Sequence, residues 1–486
     1  MLQAIIASIS TLLVTGSWAT IDESFFDNSR IITRDVAIIG GGASGTFSAV
    51  RLREDLNASI ILIEKKTRLG GHVDTYTVPH TNSTIEYGVQ SYIRYGGAVD
   101  FFKRFNIDIV PSSARRLTNI NVDITTGKAL IGYTPPTANA TTEALQRWLT
   151  IVEKYEPFME PGFWNFPPGS KIPADLLTPF GEFARKHQLE AAAPRIIAVS
   201  NVGLGGIEDL LTLYVIKAFG APITRSLFAD APNALFVPVG SNSLLYQRAY
   251  ELLKTDVLLS SSVAKAERTT NGARLVVQTP DGKVLVNAKC ILFSPPPSLD
   301  PNLKNFDLDT AEKAVFRTWV PTWSFIGIVR IPCIPENYSI SYISPASVPD
   351  NYLAVRNYRY SLRFDSTGPL GLGLFRVLFS TNFSITADEV KTTISENVQK
   401  LVAQGTVNYT GECVPDYRVV TDHNSILWQQ TVKQLRDGFV QKLYALQGHR
   451  STWYTGGLWS EDYTSNTWAF SETIIPRLLE DLRKVD

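Results

Sequence analysis

Three glycines at a fixed spacing are the first residues in the sequence that carry chemistry. Gly40, Gly42 and Gly45 stand as Gly-x-Gly-x-x-Gly directly after the apolar run Asp35-Val36-Ala37-Ile38-Ile39. A strand that ends in such a turn and opens a helix at Ala43 and Ser44 leaves backbone N–H groups converging on one spot, a ready seat for an anion. Glycine serves both the tight turn and the close approach of a pyrophosphate. The segment Ser44 to Leu56 reads as that helix, with Phe47 and Val50 on its apolar side. A second buried strand, Ile60-Ile61-Leu62-Ile63, ends at Glu64, whose carboxylate is placed to accept a hydrogen bond from a ribose hydroxyl. A lone glycine triplet would predict only a turn. Strand, loop, helix, strand and acid in this order predict dinucleotide binding.

The residues that follow select the dinucleotide. Lys65-Lys66-Thr67-Arg68-Leu69-Gly70-Gly71-His72 sets Arg-x-Gly-Gly just behind the acid. This resembles the second FAD signature of the flavin amine oxidase superfamily. Gly70 to Tyr76, Tyr87-Gly88-Val89 and Phe101-Phe102-Lys103-Arg104-Phe105 look most like the fungal secreted beta-cyclopiazonate dehydrogenase-type FAD oxidoreductases. The resemblance implies FAD as cofactor. It places Gly40, Gly42, Ala43, Ser44, Gly45, Glu64, Lys65, Arg68, Gly70, Gly71 and His72 around the phosphates, ribose and ribityl chain. It sets Gly88, Val89 and Gln90 beside the isoalloxazine ring and the backbone of Val263 at adenine. Gly456 and Gly457 come to lie under the flavin phosphates, and Thr467 and Trp468 open a last helix aimed at the flavin pyrimidine. A helix N-terminus there would stabilise negative charge at N1 and O2.

Departures from the family pattern are informative. His72 stands where the signature usually has a second arginine, so the expected positive charge is smaller and pH-dependent. No cysteine follows Cys413, which excludes a flavin linkage through a C-terminal cysteine. Ser91 occupies the position of the carboxylate-gripping arginine of secreted L-amino-acid oxidases, so an amino-acid substrate is not expected. No His-Glu-x-x-His, Gly-x-Ser-x-Gly or phosphate-binding Walker loop is present. Catalytic side chains stay unassigned, because a flavin carries the chemistry and the protein supplies position and field. The implied reaction is hydride transfer from a small, apolar or aromatic secondary metabolite to flavin N5, by dehydrogenation or cyclisation, with O2 or another acceptor restoring the flavin. Another secreted amine or thioether oxidase, a redox-neutral lipid isomerase and a non-catalytic flavin or lipid binder are the alternatives.

These groups need a scaffold, and 486 residues with 44% hydrophobic side chains can build a large one. The expected class is α/β: a Rossmann-type FAD domain of the glutathione-reductase and amine-oxidase kind, with an interleaved α+β substrate domain. The FAD domain is expected from 31–112, 226–318 and 441–486, and the substrate domain from 113–225 and 319–440. A hairpin is predicted around Asp281-Gly282, and a helix over Thr386 to Gln404. The aromatic cluster Trp148, Tyr155, Phe158, Phe163 and Trp164 would line a cap or belong to the core.

Compartment is read from the ends and the surface. Residues 1–19 carry no charge and end in Ser17-Trp18-Ala19, the pattern of a cleaved signal peptide. Six Asn-x-Ser/Thr sequons, at Asn57, Asn82, Asn139, Asn337, Asn382 and Asn408, agree with a secreted or lumenal glycoprotein. Of three cysteines, Cys333 and Cys413 are the expected disulfide pair, and Cys290 reads as a small buried side chain. Lys+Arg 46 balance Asp+Glu 46 without a basic run, so nucleic acid is not an expected partner. No metal site and no membrane span are expected.

Overall fold

The computed structural model describes residues 20–113, 115–230, 234–356, 359–461 and 463–485. The signal-peptide reading of residues 1–19 lies outside them.

Two seven-stranded sheets organise the chain. In the first, Ile31–Ile39 lies in parallel between Ile60–Ile63 and Gly282–Phe293. Val36 to Ile39 and Ile60 to Ile63 are buried, because a central parallel strand has both faces covered and therefore tolerates no polar alternation. Val257–Leu258 adds to the outer side of Ile60–Ile63, and Thr452–Tyr454 runs parallel to Gly282–Phe293. Gly272–Thr279 and Gly282–Phe293 form the expected hairpin about Asp281-Gly282, and Ser262–Thr269 extends it. All these strands fall inside 31–112, 226–318 or 441–486.

The helix Ala43–Val50 leaves the glycine loop with Ser44 to Val50 buried, and the C-terminal helix Thr464–Val485 packs against it. The expected helix to Leu56 ends earlier in form. At Arg51 to Asp55 the chain continues as a wider-wound turn.

The second sheet has the order 416–422, 319–330, 374–381, 360–366, 338–343 and 118–123, with 425–428 pairing beside 319–322. Alternation sorts its two faces. Phe325, Val329, Ile340, Phe364, Phe375, Val377 and Phe379 form one core with Val390, Ile394, Val398 and Leu401 of the helix Ala387–Ala403. A capping box between Thr386 and Glu389 starts that helix one residue after the expected position. On the opposite face Ile328 and Leu374 meet Val78, Ile85 and Tyr87 of the first domain. This second face therefore looks toward the glycine loops.

Helices between residues 138 and 228 fill the remaining side. Their aromatic cluster is core: Trp148 is fully buried with its indole N–H on the Phe219 carbonyl, and Phe163 packs edge-on to Trp428. No helix of the described residues is long and apolar enough to cross a membrane. All six sequon asparagines are exposed.

Cys333 and Cys413 are joined in a disulfide and Cys290 is free and buried, as expected from the sequence. The bridge closes a loop of 80 residues and joins the end of one strand to the segment behind the helix Ala387–Ala403. A chain-entropy estimate gives about 4–5 kcal/mol for such a closure. Cys333→Ser with Cys413→Ser should lower the unfolding temperature by several degrees while leaving flavin content unchanged. Equal melting curves for wild type and double variant would contradict the assignment.

Candidate cofactor-binding and active site

The glycine cradle is a set of close backbone approaches. A Cβ on Gly45 would lie 1.9 Å from the Gly40 carbonyl oxygen, so the first turn of the helix can pass under the strand end only without a side chain. Gly71, at φ +55°, brings its Cα against Gly42, and the Gly70 N–H donates to the Gly41 carbonyl at 2.8 Å. The two signatures, some 30 residues apart, are thereby one surface. Gly88 is equally tight, since a Cβ there would fall 2.1 Å from the His72 carbonyl oxygen. Gly456, at φ +108°, approaches the Ser294 carbonyl and Ser44, whose hydroxyl bonds the Ser294 hydroxyl at 2.8 Å.

Gly42 differs from these. Its φ is −71°, open to any residue, and a Cβ would have only the Gly71 Cα within 4 Å, at 3.8 Å. Nothing in the protein requires glycine here. The free space over Gly42 is a cradle that a Cβ would partly fill, which fits a dinucleotide pyrophosphate at the N-terminus of the helix. Glu64 is held beside it: its carboxylate accepts from the Gly41 N–H at 2.6 Å and the Lys66 N–H at 2.7 Å. Each oxygen keeps a lone pair for a ribose hydroxyl.

Other expected residues are placed as follows. Arg68 pairs with Asp74 and donates to the Leu69 carbonyl. Val89 donates its N–H to the His72 carbonyl, and Gln90 is exposed with its amide on the Glu86 carbonyl. The Val263 carbonyl accepts from Asn305, so its polar contact on that side is already made within the protein. Gly457 accepts from Lys217, and the Thr467 hydroxyl caps the Thr464 carbonyl. Two further side chains lie as follows. Lys65 points to solvent, and its neighbour Lys66 reaches the Gly71 carbonyl at 2.9 Å instead. Trp468 is fully buried against Phe47, Tyr92 and Phe101, with its indole N–H on the Ala43 carbonyl. It pins the last helix to the first and contributes only backbone to that helix's first turn.

His72 sits in a network that sequence reasoning missed. Its ring stacks on His423 at 4.3 Å and 13°, and His423 Nε2 lies 2.9 Å from the buried Asp74 carboxylate. His423 comes from the turn between two strands of the second sheet, so the contact clasps that sheet to the segment behind Arg68. Burial would raise Asp74, but the His423 hydrogen bond and the Arg68 and Lys66 cations hold it below the usual carboxylate range. The His72 side chain is exposed at its surface, although protein packs around it on several sides. Burial first, then His423 and Lys66, push it down to about 3. These surroundings favour the neutral ring, a donor–acceptor, over the pH-dependent charge expected from the sequence.

A second unforeseen group lies before the last helix. Glu461 is 1% exposed, and Asn466 Nδ2 donates both to it at 2.9 Å and to Glu160 at 3.1 Å. The two carboxyl groups act on each other, near Lys217 and the N-terminus of the helix Ala221–Phe228. Burial raises both: Glu160 to about 7, and Glu461, which also feels Glu160, well above the carboxylate range. Among the described residues Ser465 Oγ and Asn466 Oδ1 are buried without partners, at the helix end expected to meet the flavin.

The raised carboxyl sets a sign for pH dependence. Between the ordinary value of 4.5 and about 7 the folded chain binds more protons at Glu160 than the unfolded chain. Its stabilising effect is complete below the lower value and is lost as pH rises through the upper one, an effect of about 1–3 kcal/mol. Wild type should therefore lose thermal stability relative to Glu160→Gln between pH 5 and pH 8. Parallel melting-temperature profiles for the two proteins would refute this.

The matches to known proteins agree with this geometry. Residues 38–105 match the family model described as an NAD(P)-binding Rossmann-like domain. The chain is 31% identical to the FAD-dependent oxidoreductase pigF of Monascus ruber, over 99% of this chain and 100% of that one. It is 28% identical to the beta-cyclopiazonate dehydrogenase of Aspergillus oryzae, over 93% and 94%. Among solved structures, a conjugated-linoleic-acid-producing fatty acid isomerase from P. acnes superposes with TM-score 0.68 at 16% identity, over 91% and 98%. A putrescine oxidase variant does so with TM-score 0.59 at 14% identity, over 93% and 100%. Both solved neighbours share the fold of this chain.

Proposed function

We propose that this chain, which belongs to the family of FAD-dependent oxidoreductases that includes pigF, is a secreted enzyme that oxidises a small secondary metabolite, with O2 as terminal acceptor. FAD is its cofactor and, when bound, supplies hydride acceptance at N5. The observation that carries the reading is the cradle at Gly42, open to a ligand while every neighbouring glycine is closed by protein.

The chain's own residues bind, orient and enclose. The N–H groups at the start of the helix Ala43–Val50 face the pyrophosphate position, and Glu64 offers its remaining lone pairs to a ribose. The first turn of Thr464–Val485, with Ser465 Oγ and Asn466 Oδ1 unpartnered, is available to the flavin pyrimidine. His72, favoured in its neutral form, offers one donor and one acceptor. The Glu160–Glu461 pair keeps a proton through neutral pH beside the same helix. The sheet face above, carried toward the glycine loops by Ile328 and Leu374, bounds the space left for substrate.

The secondary-metabolite reading is supported by full-length similarity to beta-cyclopiazonate dehydrogenase. Secretion is supported by the N-terminal pattern, six exposed sequons and the disulfide. Metabolite extracts from a strain lacking the gene should accumulate a precursor that bleaches the purified yellow protein anaerobically. With that precursor, oxygen uptake and peroxide release should match turnover. Turnover without oxygen uptake would place the chain with redox-neutral isomerases.

A further inference from the structure

The face of the second sheet that looks toward the glycine loops is not apolar throughout. Arg363 and Asp365 on Tyr360–Ser366, and Arg376 on Leu374–Thr381, all point from it, in the same alternation as Leu374. Asp365 is buried and accepts from Arg363 at 2.7 Å, Arg376 at 2.9 Å and Ser339 at 2.6 Å. Both of its oxygens are therefore committed. Two more guanidinium groups converge on Arg363 from outside the sheet: Arg195, from the helix Ala193–Ser200, and Arg356. Arg363 and Arg376 share the one Asp365 carboxylate, and Arg195 and Arg356 add two cations beside Arg363.

We infer that this arginine group is the seat for an oxyanion of the substrate, which makes the substrate an acidic, carboxylate-bearing organic molecule. The inference rests on the reading of the chain as an oxidoreductase with its substrate between the second sheet and the flavin. Arg195 has no hydrogen bond or ion pair among the described residues. Arg356 donates one amino group to the neutral Asn201 side chain, while its Nε is buried without a partner. Asn201 is in turn held by Ser380 at 3.1 Å, so it positions the guanidinium without neutralising it. A structural ion-pair network would bring acids in equal number, as Arg268 meets Asp307 and Glu312 elsewhere in this chain. Here burial first and Arg363 second push Arg356 down to about 10 and lower Arg195 as well, the mark of cations lacking a counter-charge. Tyr360–Ser366 is an interior strand, so the exposed part of Arg363 opens onto the space beneath the sheet rather than its edge. Planar guanidinium forks match a planar carboxylate bidentately, which favours an acid over an amine at this end of the cavity. A cationic substrate would meet two guanidinium groups that have no acidic partner among the described residues.

The test compares naphthaleneacetate, naphthaleneacetamide and naphthylethylamine, which share a ring system and differ in charge. With the holoprotein, the acid should perturb the flavin spectrum and bind at least about tenfold more tightly than the amide or amine. Arg195→Met, which breaks no contact, should reduce affinity for the acid about tenfold and leave the amide unchanged. Arg356→Met should do the same. Equal affinity for acid and amide, preference for the amine, or no effect of Arg195→Met would overturn the inference. Calorimetry reads binding with or without flavin. A colourless protein that still prefers the acid would refute the oxidoreductase reading alone, and a yellow protein indifferent to charge would refute this inference alone.

Discussion

Gly42→Ala should fold normally and purify without flavin. The added methyl group meets only the Gly71 Cα, at 3.8 Å, and the backbone at residue 42 is open to any side chain. Apoprotein stability should therefore stay within about 0.5 kcal/mol of wild type. The same methyl group stands where the pyrophosphate must approach the backbone, so FAD affinity should fall by at least about a hundredfold. Gly45→Ala is the contrasting control. Its methyl group would collide with the Gly40 carbonyl oxygen, and that variant should misfold rather than merely lose flavin. Equal flavin content in Gly42→Ala and wild type would show that the cradle holds something else.

Asp74→Ala should be the most damaging substitution outside the glycines. Its buried carboxylate answers Arg68, Lys66 and His423 together, and its backbone carbonyl accepts from Tyr87 and Gly88. Truncation leaves Arg68 and Lys66 in mutual repulsion and His423 without its acceptor. Removing one partner of a buried charged group costs about 3–5 kcal/mol. The clasp between His423 and the segment behind Arg68 is lost as well, so flavin should leach from the purified protein. Asp74→Asn, which keeps hydrogen bonding without the charge, should fall between the two. Because Asp74 titrates below its ordinary value, its contribution is present above that value and disappears as pH falls through the folded one. Wild type should therefore converge on Asp74→Ala in strongly acidic buffer. A melting temperature and flavin content equal to wild type at neutral pH would contradict the clasp.

Local patterns in the sequence carried the parts of the site that are local in the chain. The glycine turn, the strand ending at Glu64 and the Arg68-x-Gly-Gly segment all lie within residues 36–72, where spacing alone fixes geometry. The Asp281-Gly282 hairpin and the capped helix Ala387–Ala403 were legible for the same reason. Contacts made by tertiary packing left no such trace. His423 and Asp74 are 349 residues apart, and Glu160 and Asn466 are 306 apart. The arginine group is drawn from one helix, one loop and two strands. Side-chain direction is the quantity that spacing along the chain did not carry. Lys65 and Lys66 differ by one step past a strand end, which exchanges solvent for the Gly71 carbonyl. Trp468 lies one helical turn into Thr464–Val485, where an indole is better buried against Phe47 and Tyr92 than beside a ligand. The lowered pKa of His72 comes first from burial and then from His423, a residue far off in the sequence, and neither is visible in local spacing.

The central claim is that this chain holds FAD in the cradle of Gly42, Glu64 and Gly71 and oxidises an organic substrate with it. The most direct measurement is the visible spectrum and extracted cofactor of the purified protein, before and after anaerobic exposure to the precursor that a gene-deletion strain accumulates. The account predicts one FAD per chain, bleached by that precursor and restored by air. A colourless protein, or one that yields NAD in place of FAD, would contradict it.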